Sequence, residues 1–271
     1  MSEARPALLD AARVRTLVTD GALGTRLIAL GLDLKTDDPA LWNLSRPDDV
    51  QAIHALDLAA GADAVLTNTF GANRVWLDRF HRGGDAPALN RRAVALARAA
   101  EGPDRYVIGS IGPTATADRD LDAVLEQADA LAESGVDALV FETCRGRQAS
   151  RMAAVAPGRP PLIASFGALD ESLGDEVRRL EDLGVAAVGI NCTFGLASAL
   201  EQMQELRRLT ALPLWIKPAA ALPGAPAVTP EAFAAAVPQW RALGARFVGG
   251  CCGSTEAHVA ALRAACYTFS T

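Results

Sequence analysis

Phe247-Val248-Gly249-Gly250-Cys251-Cys252-Gly253 is a short apolar run that ends in a glycine-framed pair of cysteines. Neighbouring side chains in a regular strand point to opposite faces. Two adjacent cysteines can therefore share one metal only where the backbone kinks. Gly250 and Gly253 permit a kink, because glycine adopts backbone angles closed to other residues. Cys192 ends a second apolar run, Gly189-Ile190-Asn191-Cys192. Three thiolates from two strand ends would hold Zn2+ and leave its fourth position open, the pattern of a catalytic rather than a closed structural zinc. The alternative is three buried, reduced cysteines packed as small hydrophobes. The glycine frame and a third cysteine in an equivalent place favour the metal.

Working outward, the same pattern recurs along the chain: an apolar, β-branched run followed by a polar or glycine-rich turn. Strands are predicted at 16–19, 64–66, 106–108, 138–141, 162–165, 187–190, 214–216 and 246–248. Helical spacing of apolar residues predicts helices at 48–60, 89–100, 121–134, 148–155, 171–183, 196–209, 230–243 and 255–265. The first of these opens with Ser45 as a candidate cap, Pro47 in the first turn and two aspartates near the positive helix end. Gly61, Gly135, Gly184 and Gly244 mark helix stops. Strand and helix alternating eight times predicts a closed parallel α/β barrel, a (β/α)8 TIM barrel, over one domain spanning 1–271. An open doubly wound sheet is disfavoured, since no Gly-x-Gly-x-x-Gly turn follows the first strand. The stretch 30–43 is long and irregular and is expected to fold over the barrel mouth.

Composition narrows the partners. The chain has 271 residues, half of them hydrophobic, and a net charge of −6, which gives no reason to expect nucleic acid or lipid. No apolar run is long enough to span a membrane. The opening Met1-Ser2-Glu3-Ala4-Arg5-Pro6 lacks the apolar core of a secretory signal. Five cysteines, two of them adjacent, suit a reducing compartment better than a disulfide framework. A cytoplasmic protein is expected.

In such a barrel the working residues gather at the carboxyl ends of the strands. The predicted strands bring Asp20, Asn68, Glu142, Cys192, Cys251 and Cys252 there together. Three thiolates overcompensate a divalent zinc, which makes it a poor activator of water. It can still take an incoming thiol and lower that thiol's pKa, and a thiolate is a nucleophile at neutral pH. The ligand set thus points to thiol alkylation, not hydrolysis. Asp20 and Glu142 are suited to an ammonium group, and the backbone N–H groups of the glycine turn after Asp20 to a carboxylate. Together they describe an amino acid with a thiol side chain. Asp20 also reads as a turn aspartate, Glu142 as a salt bridge at the mouth, and Asn68 as a turn residue.

These residues resemble the homocysteine S-methyltransferases, a family that includes betaine-dependent and S-methylmethionine-dependent enzymes and the homocysteine module of cobalamin-dependent methionine synthase. The resemblance rests on Asp20-Gly21-Ala22-Leu23-Gly24-Thr25, Gly61-Ala62-Asp63, Thr67-Asn68-Thr69-Phe70-Gly71-Ala72-Asn73, Gly109-Ser110-Ile111-Gly112-Pro113, Glu142-Thr143, Asn191-Cys192 and the cysteine pair with His258 after it. It implies methyl transfer to homocysteine, giving methionine. Cys192, Cys251 and Cys252 would be the zinc ligands, Asp20 and Glu142 would hold the amino group, and the amides near Gly21 and Ala22 the carboxylate. The donor would be a sulfonium, a quaternary amine, or methylcobalamin on a separate corrinoid protein. Four tryptophans and two tyrosines are a thin supply for an aromatic cage around a quaternary amine. The chain departs from the family at Gly195-Leu196, Pro218-Ala219-Ala220-Ala221, Arg145 and a short 114–120 loop, all near the mouth. The competing reading is a zinc- or thiol-binding module that has lost its donor, or a subunit of a split corrinoid system.

Overall fold

Eight parallel strands form one sheet: β1 (Leu17–Val18), β2 (Ala64–Leu66), β3 (Tyr106–Ile111), β4 (Ala138–Cys144), β5 (Leu162–Phe166), β6 (Ala187–Phe194), β7 (Leu214–Ala219) and β8 (Ala245–Val248). β8 pairs with β1, and a Thr19–Ala64 bridge joins β1 to β2, which closes the ring. The structure is a computed structural model and describes residues 5–100, 105–113, 120–221 and 226–267. The helices, in order, are α1 (Leu8–Val14), α2 (Leu23–Ala29), α3 (Trp42–Ser45), α4 (Pro47–Ala59), α5 (Arg74–Leu77), α6 (Ala86–Ala100), α7 (Asp120–Glu133), α8 (Gln148–Ala154), α9 (Leu173–Asp182), α10 (Leu196–Leu209), α11 (Pro230–Ala242) and α12 (Glu256–Tyr267). At least one helix follows each strand, so the chain is a (β/α)8 TIM barrel. No helix among the described residues is long and apolar enough to cross a membrane.

The core follows the period of two expected of strands. Leu17, Leu66, Tyr106, Ile108, Val140, Ile163, Trp215 and Phe247 pack together inside the barrel. Their neighbours Val18, Val65, Val107, Leu139, Phe141, Ala164, Val188, Ile216 and Val248 pack outward against the helices. The interior set also includes Leu8, Ala11 and Ala12 of α1, which plugs the amino end. That helix is absent from the sequence reading, because seven residues give too little periodicity to register.

Several strands run further than their apolar residues predict. β3, β4, β6 and β7 continue through Ile111, Cys144, Phe194 and Ala219. The backbone ladder continues where the inward side chains turn polar, so hydrophobicity underestimates the strand. α4 begins at Pro47, with Asp48 and Asp49 in its first turn, as read from the sequence. Its capping residue is a correction: Ser45 belongs to α3 and its hydroxyl donates to Leu41 O at 3.2 Å, so it does not cap α4. Gly61, Gly135, Gly184 and Gly244 all have positive φ at helix ends. The 30–43 stretch lies on the end of β2. Asn43 Nδ2 donates to Asn68 O at 2.9 Å, and Asn68 Nδ2 donates to Pro39 O at 2.6 Å. Of the 114–120 loop, residues 114–119 lie outside the described residues.

Candidate active site

The inward parity that builds the core also builds the site. Two residues beyond Leu66, Ile108, Val140, Ile163, Gly189 and Trp215 come Asn68, Ser110, Glu142, Ser165, Asn191 and Lys217, all buried. One polar layer therefore caps the apolar one at the carboxyl end of the barrel. Above it sit the cysteines.

Cys192, Cys251 and Cys252 converge, with their sulfurs all within 4.8 Å of one another. Cys192 Sγ lies 3.7 Å from Cys252 Sγ, and Cys251 Sγ lies 4.0 Å from Cys252 Sγ. A tetrahedral zinc with sulfur ligands at about 2.3 Å sets those edges near 3.8 Å. Cys192 and Cys251 sulfurs are in direct contact, with Cα atoms 5.4 Å apart, so this edge must open to admit a metal. No fourth His, Cys, Asp or Glu joins the group among the described residues. A three-thiol set with no fourth protein ligand fits a metal that keeps a place for substrate.

Two different kinks aim these sulfurs. In β6 the bend is at the ligand itself: Cys192 has φ 57°, and the register with β7 shifts between Asn191 and Phe194. A non-glycine residue held left-handed costs roughly 1–2 kcal/mol, so its surroundings must fix it. After β8 the bend follows the pair, with Gly253 at φ 81°. Gly250 contributes in another way than by its angles: a Cβ there would collide with the buried Ser254 hydroxyl. The cysteine pair is fastened by main chain. Cys251 N–H donates to Pro218 O at 2.8 Å, while Ala220 and Ala221 N–H groups donate to Cys252 O at 2.7 and 2.9 Å.

The carboxylates are less alike than the sequence suggests. Glu142 is 7% exposed and accepts a hydrogen bond from the Ser110 hydroxyl. Burial pushes its carboxyl up, and the Lys217 charge is the leading influence pulling it back. Its charge also helps raise the Cys252 thiol, after burial. Asp20 is 2% exposed and already engaged. One oxygen accepts from Leu66 N–H at 2.7 Å and the other is ion-paired to the Lys217 ammonium. Gly21 N–H faces Asp57 at 3.4 Å and Ala22 N–H faces Ser254 O at 3.3 Å, both long bonds. Asn68 uses its side-chain amide to hold Pro39 and Asn43, in line with a turn role.

Lys217 was missed by sequence reasoning, although its signal was there. It directly follows the apolar run of β7, as Glu142 follows that of β4. Asn191 was seen only as a neighbour of Cys192; its side chain ties three strands. Its Oδ1 accepts from Thr143 N–H at 2.8 Å and Ser165 Oγ at 2.7 Å, and its Nδ2 donates to Thr143 Oγ1 at 2.8 Å. His258 is structural, with Nδ1 accepting from Thr255 N–H and Nε2 on Val228 O. Cys144 is fully buried, and burial pushes its thiol far up. Cys266 is buried in α12, with its thiol raised to about 11.

Residues 17–266 match the family model described as homocysteine S-methyltransferase. The chain is 34% identical over 301 aligned residues to methionine synthase of Mycobacterium tuberculosis, with 95% of this chain and 25% of that protein covered. It thus spans about a quarter of the length of the curated relatives it matches. The homocysteine methyltransferase MmuM of Escherichia coli, in its metallated form, superposes with a TM-score of 0.77 at 30% identity, covering 92% of this chain and 96% of that one. The oxidized form of the same enzyme gives a TM-score of 0.78 at 29% identity, covering 95% and 98%. A methyltransferase from Methanosarcina mazei, 12% identical with a TM-score of 0.65, shares the fold. With the sulfur trio, the barrel and these matches in place, the chain belongs to the homocysteine S-methyltransferase family.

Proposed function

We propose that the chain methylates the thiol of homocysteine to give methionine, with zinc as its metal and Cys192, Cys251 and Cys252 as the residues that would hold it. The observation that carries this reading is the meeting of three sulfurs at the carboxyl end of the barrel, where Glu142 also lies two residues beyond Val140 of the inner core. Zinc, when bound, would supply a Lewis acid that lowers the pKa of the acceptor thiol. The chain's own groups bind and orient the rest of the acceptor. Glu142 offers a carboxylate to the ammonium. The Gly21 and Ala22 amides, whose present bonds are long, are the groups we assign to the acceptor's carboxylate. Asp20 and Asn68 hold the surrounding strands and loop in register. A reducing, cytoplasmic setting suits a centre built from thiols.

For the donor we propose a sulfonium such as S-methylmethionine, or a methyl corrinoid carried on a separate protein, ahead of a betaine-type amine. An aromatic cage needs exposed rings; Trp215, Trp240 and Tyr106 are buried in the core, and Phe70, 40% exposed beyond β2, with Trp76, covered by Arg79, is a thin supply. The test is direct. The purified protein is assayed for zinc, then given homocysteine with S-methylmethionine, betaine or methylcobalamin in turn. Methionine from any arm supports the transferase. Stoichiometric zinc and homocysteine binding with no product from any arm marks a non-catalytic thiol-binding module.

A further inference from the structure

Arg26, on α2, and Asp57, on α4, form a buried ion pair against the Asp20-Gly21-Ala22 turn, with side chains 11% and 1% exposed. The guanidinium engages both carboxylate oxygens: Nη1 donates to Oδ1 at 3.0 Å and Nη2 to Oδ2. The same Oδ2 accepts from Gly21 N–H at a long 3.4 Å, and Arg26 Nε reaches Ala22 O at 3.4 Å. As a staple between two helices such a pair is weak, because apolar residues of similar volume often serve as well or better. A carboxylate that comes to the Gly21 N–H arrives beside Asp57, which holds that donor now. Two carboxylates at one donor repel in a buried site unless one is neutralised. Arg26 supplies the neutralising charge, since a guanidinium stays protonated at any working pH. The other charges nearby leave the task to it. Lys217 is paired to Asp20. His54 is neutral, because burial lowers its pKa to about 4 against the pull of Asp20. Glu256 approaches Arg26 to 3.7 Å, but it is 45% exposed and screened by water.

We infer that Arg26 is a positioning residue for the acceptor's carboxylate: it grips and neutralises Asp57, so that the Gly21 N–H can pass from Asp57 to the acceptor. This rests on the reading of the Gly21 and Ala22 amides as the carboxylate seat of a homocysteine site. Asp57 keeps the donor of the empty seat satisfied, through a bond long enough to give way. Arg26, through its two-point bond, keeps Asp57 from contesting the seat once the acceptor arrives. The preference of the site for a thiol that carries a carboxylate over one that lacks it is then set from behind the turn, by groups outside the sulfur trio.

The test compares two probes, homocysteine and 3-mercaptopropylamine, which keeps the thiol and the ammonium and lacks the carboxylate. Binding of each to the zinc-loaded protein is measured by titration calorimetry, and the readout is the ratio of the two affinities. The wild type is expected to prefer homocysteine at least about tenfold, the scale of one charge-assisted contact. Arg26→Met leaves Asp57 unneutralised and should cut that preference about tenfold, with the affinity for 3-mercaptopropylamine held within about twofold. Asp57→Asn keeps an oxygen for the Gly21 N–H and removes the charge, so it should raise the preference several-fold. The double variant Arg26→Met, Asp57→Asn should return it to the wild-type value. A merely structural pair would instead weaken both probes by the same factor. Should Arg26→Met fail to fold around an unpaired Asp57, Asp57→Asn carries the test: a ratio at or below the wild-type value overturns the assignment. Equal losses for the two probes in Arg26→Met, or a double variant as poor as Arg26→Met, overturn it too and leave the thiol-acceptor reading intact. A wild type that binds both probes alike removes the carboxylate seat, and this inference with it. If the wild type binds neither probe, the acceptor reading itself falls.

Discussion

Asn191 is bonded twice to Thr143 across the barrel mouth, through the Thr143 amide and the Thr143 hydroxyl, each at 2.8 Å. Both ends of this contact are strained. Thr143 has φ 59°, and Cys192, next to Asn191, has φ 57°. The side chain of Asn191 thus holds in place the left-handed turn that aims the first sulfur. Asn191→Ala leaves the half-buried Thr143 N–H without its partner, which costs roughly 1–3 kcal/mol. Urea unfolding should show that loss. Zinc should also be surrendered faster to a competing chelator, because Cys192 relaxes from its strained angle.

Cys252→Ala removes one sulfur of three from the rim and touches nothing in the packed interior. Bound zinc should fall to below about a fifth of the wild-type content, since affinity depends on the full ligand set. Far-ultraviolet circular dichroism should be unchanged. Cys266→Ala, in the last helix, should keep its zinc. Global unfolding of Cys252→Ala would mean that the metal is structural.

Gly253→Ala tests the second kink. Its φ of 81° disfavours any side chain, and a Cβ there would collide with the Ala221 side chain and sit 2.6 Å from Ala221 N. The turn that follows the cysteine pair must shift. We expect a loss of about 1–3 kcal/mol in stability, and a drop in zinc affinity larger than that of a surface alanine substitution. Metal titration followed by a chelating dye measures it.

His54 gives a pH dependence of known sign. It is wholly buried, both ring nitrogens lack a hydrogen-bond partner among the described residues, and burial lowers its pKa from 6.5 to about 4. The nearby Asp20 opposes that shift and Arg26 adds to it. Between those two values the unfolded chain binds a proton that the folded chain refuses. Stability therefore falls as pH drops from 6.5 toward 4, by about 3 kcal/mol in all. His54→Leu should flatten that part of the pH–stability curve, as followed by thermal melts across the window. An unaltered slope would assign the acid sensitivity to other groups.

The barrel was legible because eight short, continuous apolar runs each end in a polar or glycine-rich turn, as strands buried on both faces do. The sulfur site was legible because Cys192, Cys251 and Cys252 lie at or just beyond strand ends of one barrel, while Cys144, at the end of β4, packs in the outer core and stays outside the group. The ion pair was not read. Lys217 and Asp20 are far apart in sequence and join only when β7 lies one strand away from β1, so the free carboxylate inferred for Asp20 needed the fold to correct it. The kink at Cys192 was hidden because no glycine marks it, and Asn191 supplies from a distance what a glycine supplies locally. Helix α1 was missed because seven residues carry too little pattern, and Ser45 was read as the cap of α4 because the short α3 to which it belongs went unseen.

The lip formed by Pro218, Ala219, Ala220 and Ala221 grips the cysteine pair through carbonyl and amide groups alone. Such a grip is blind to what the side chains are, provided they stay small beside Gly253. Exchanging one small residue for another along this lip should therefore leave the seat of the sulfurs where it is.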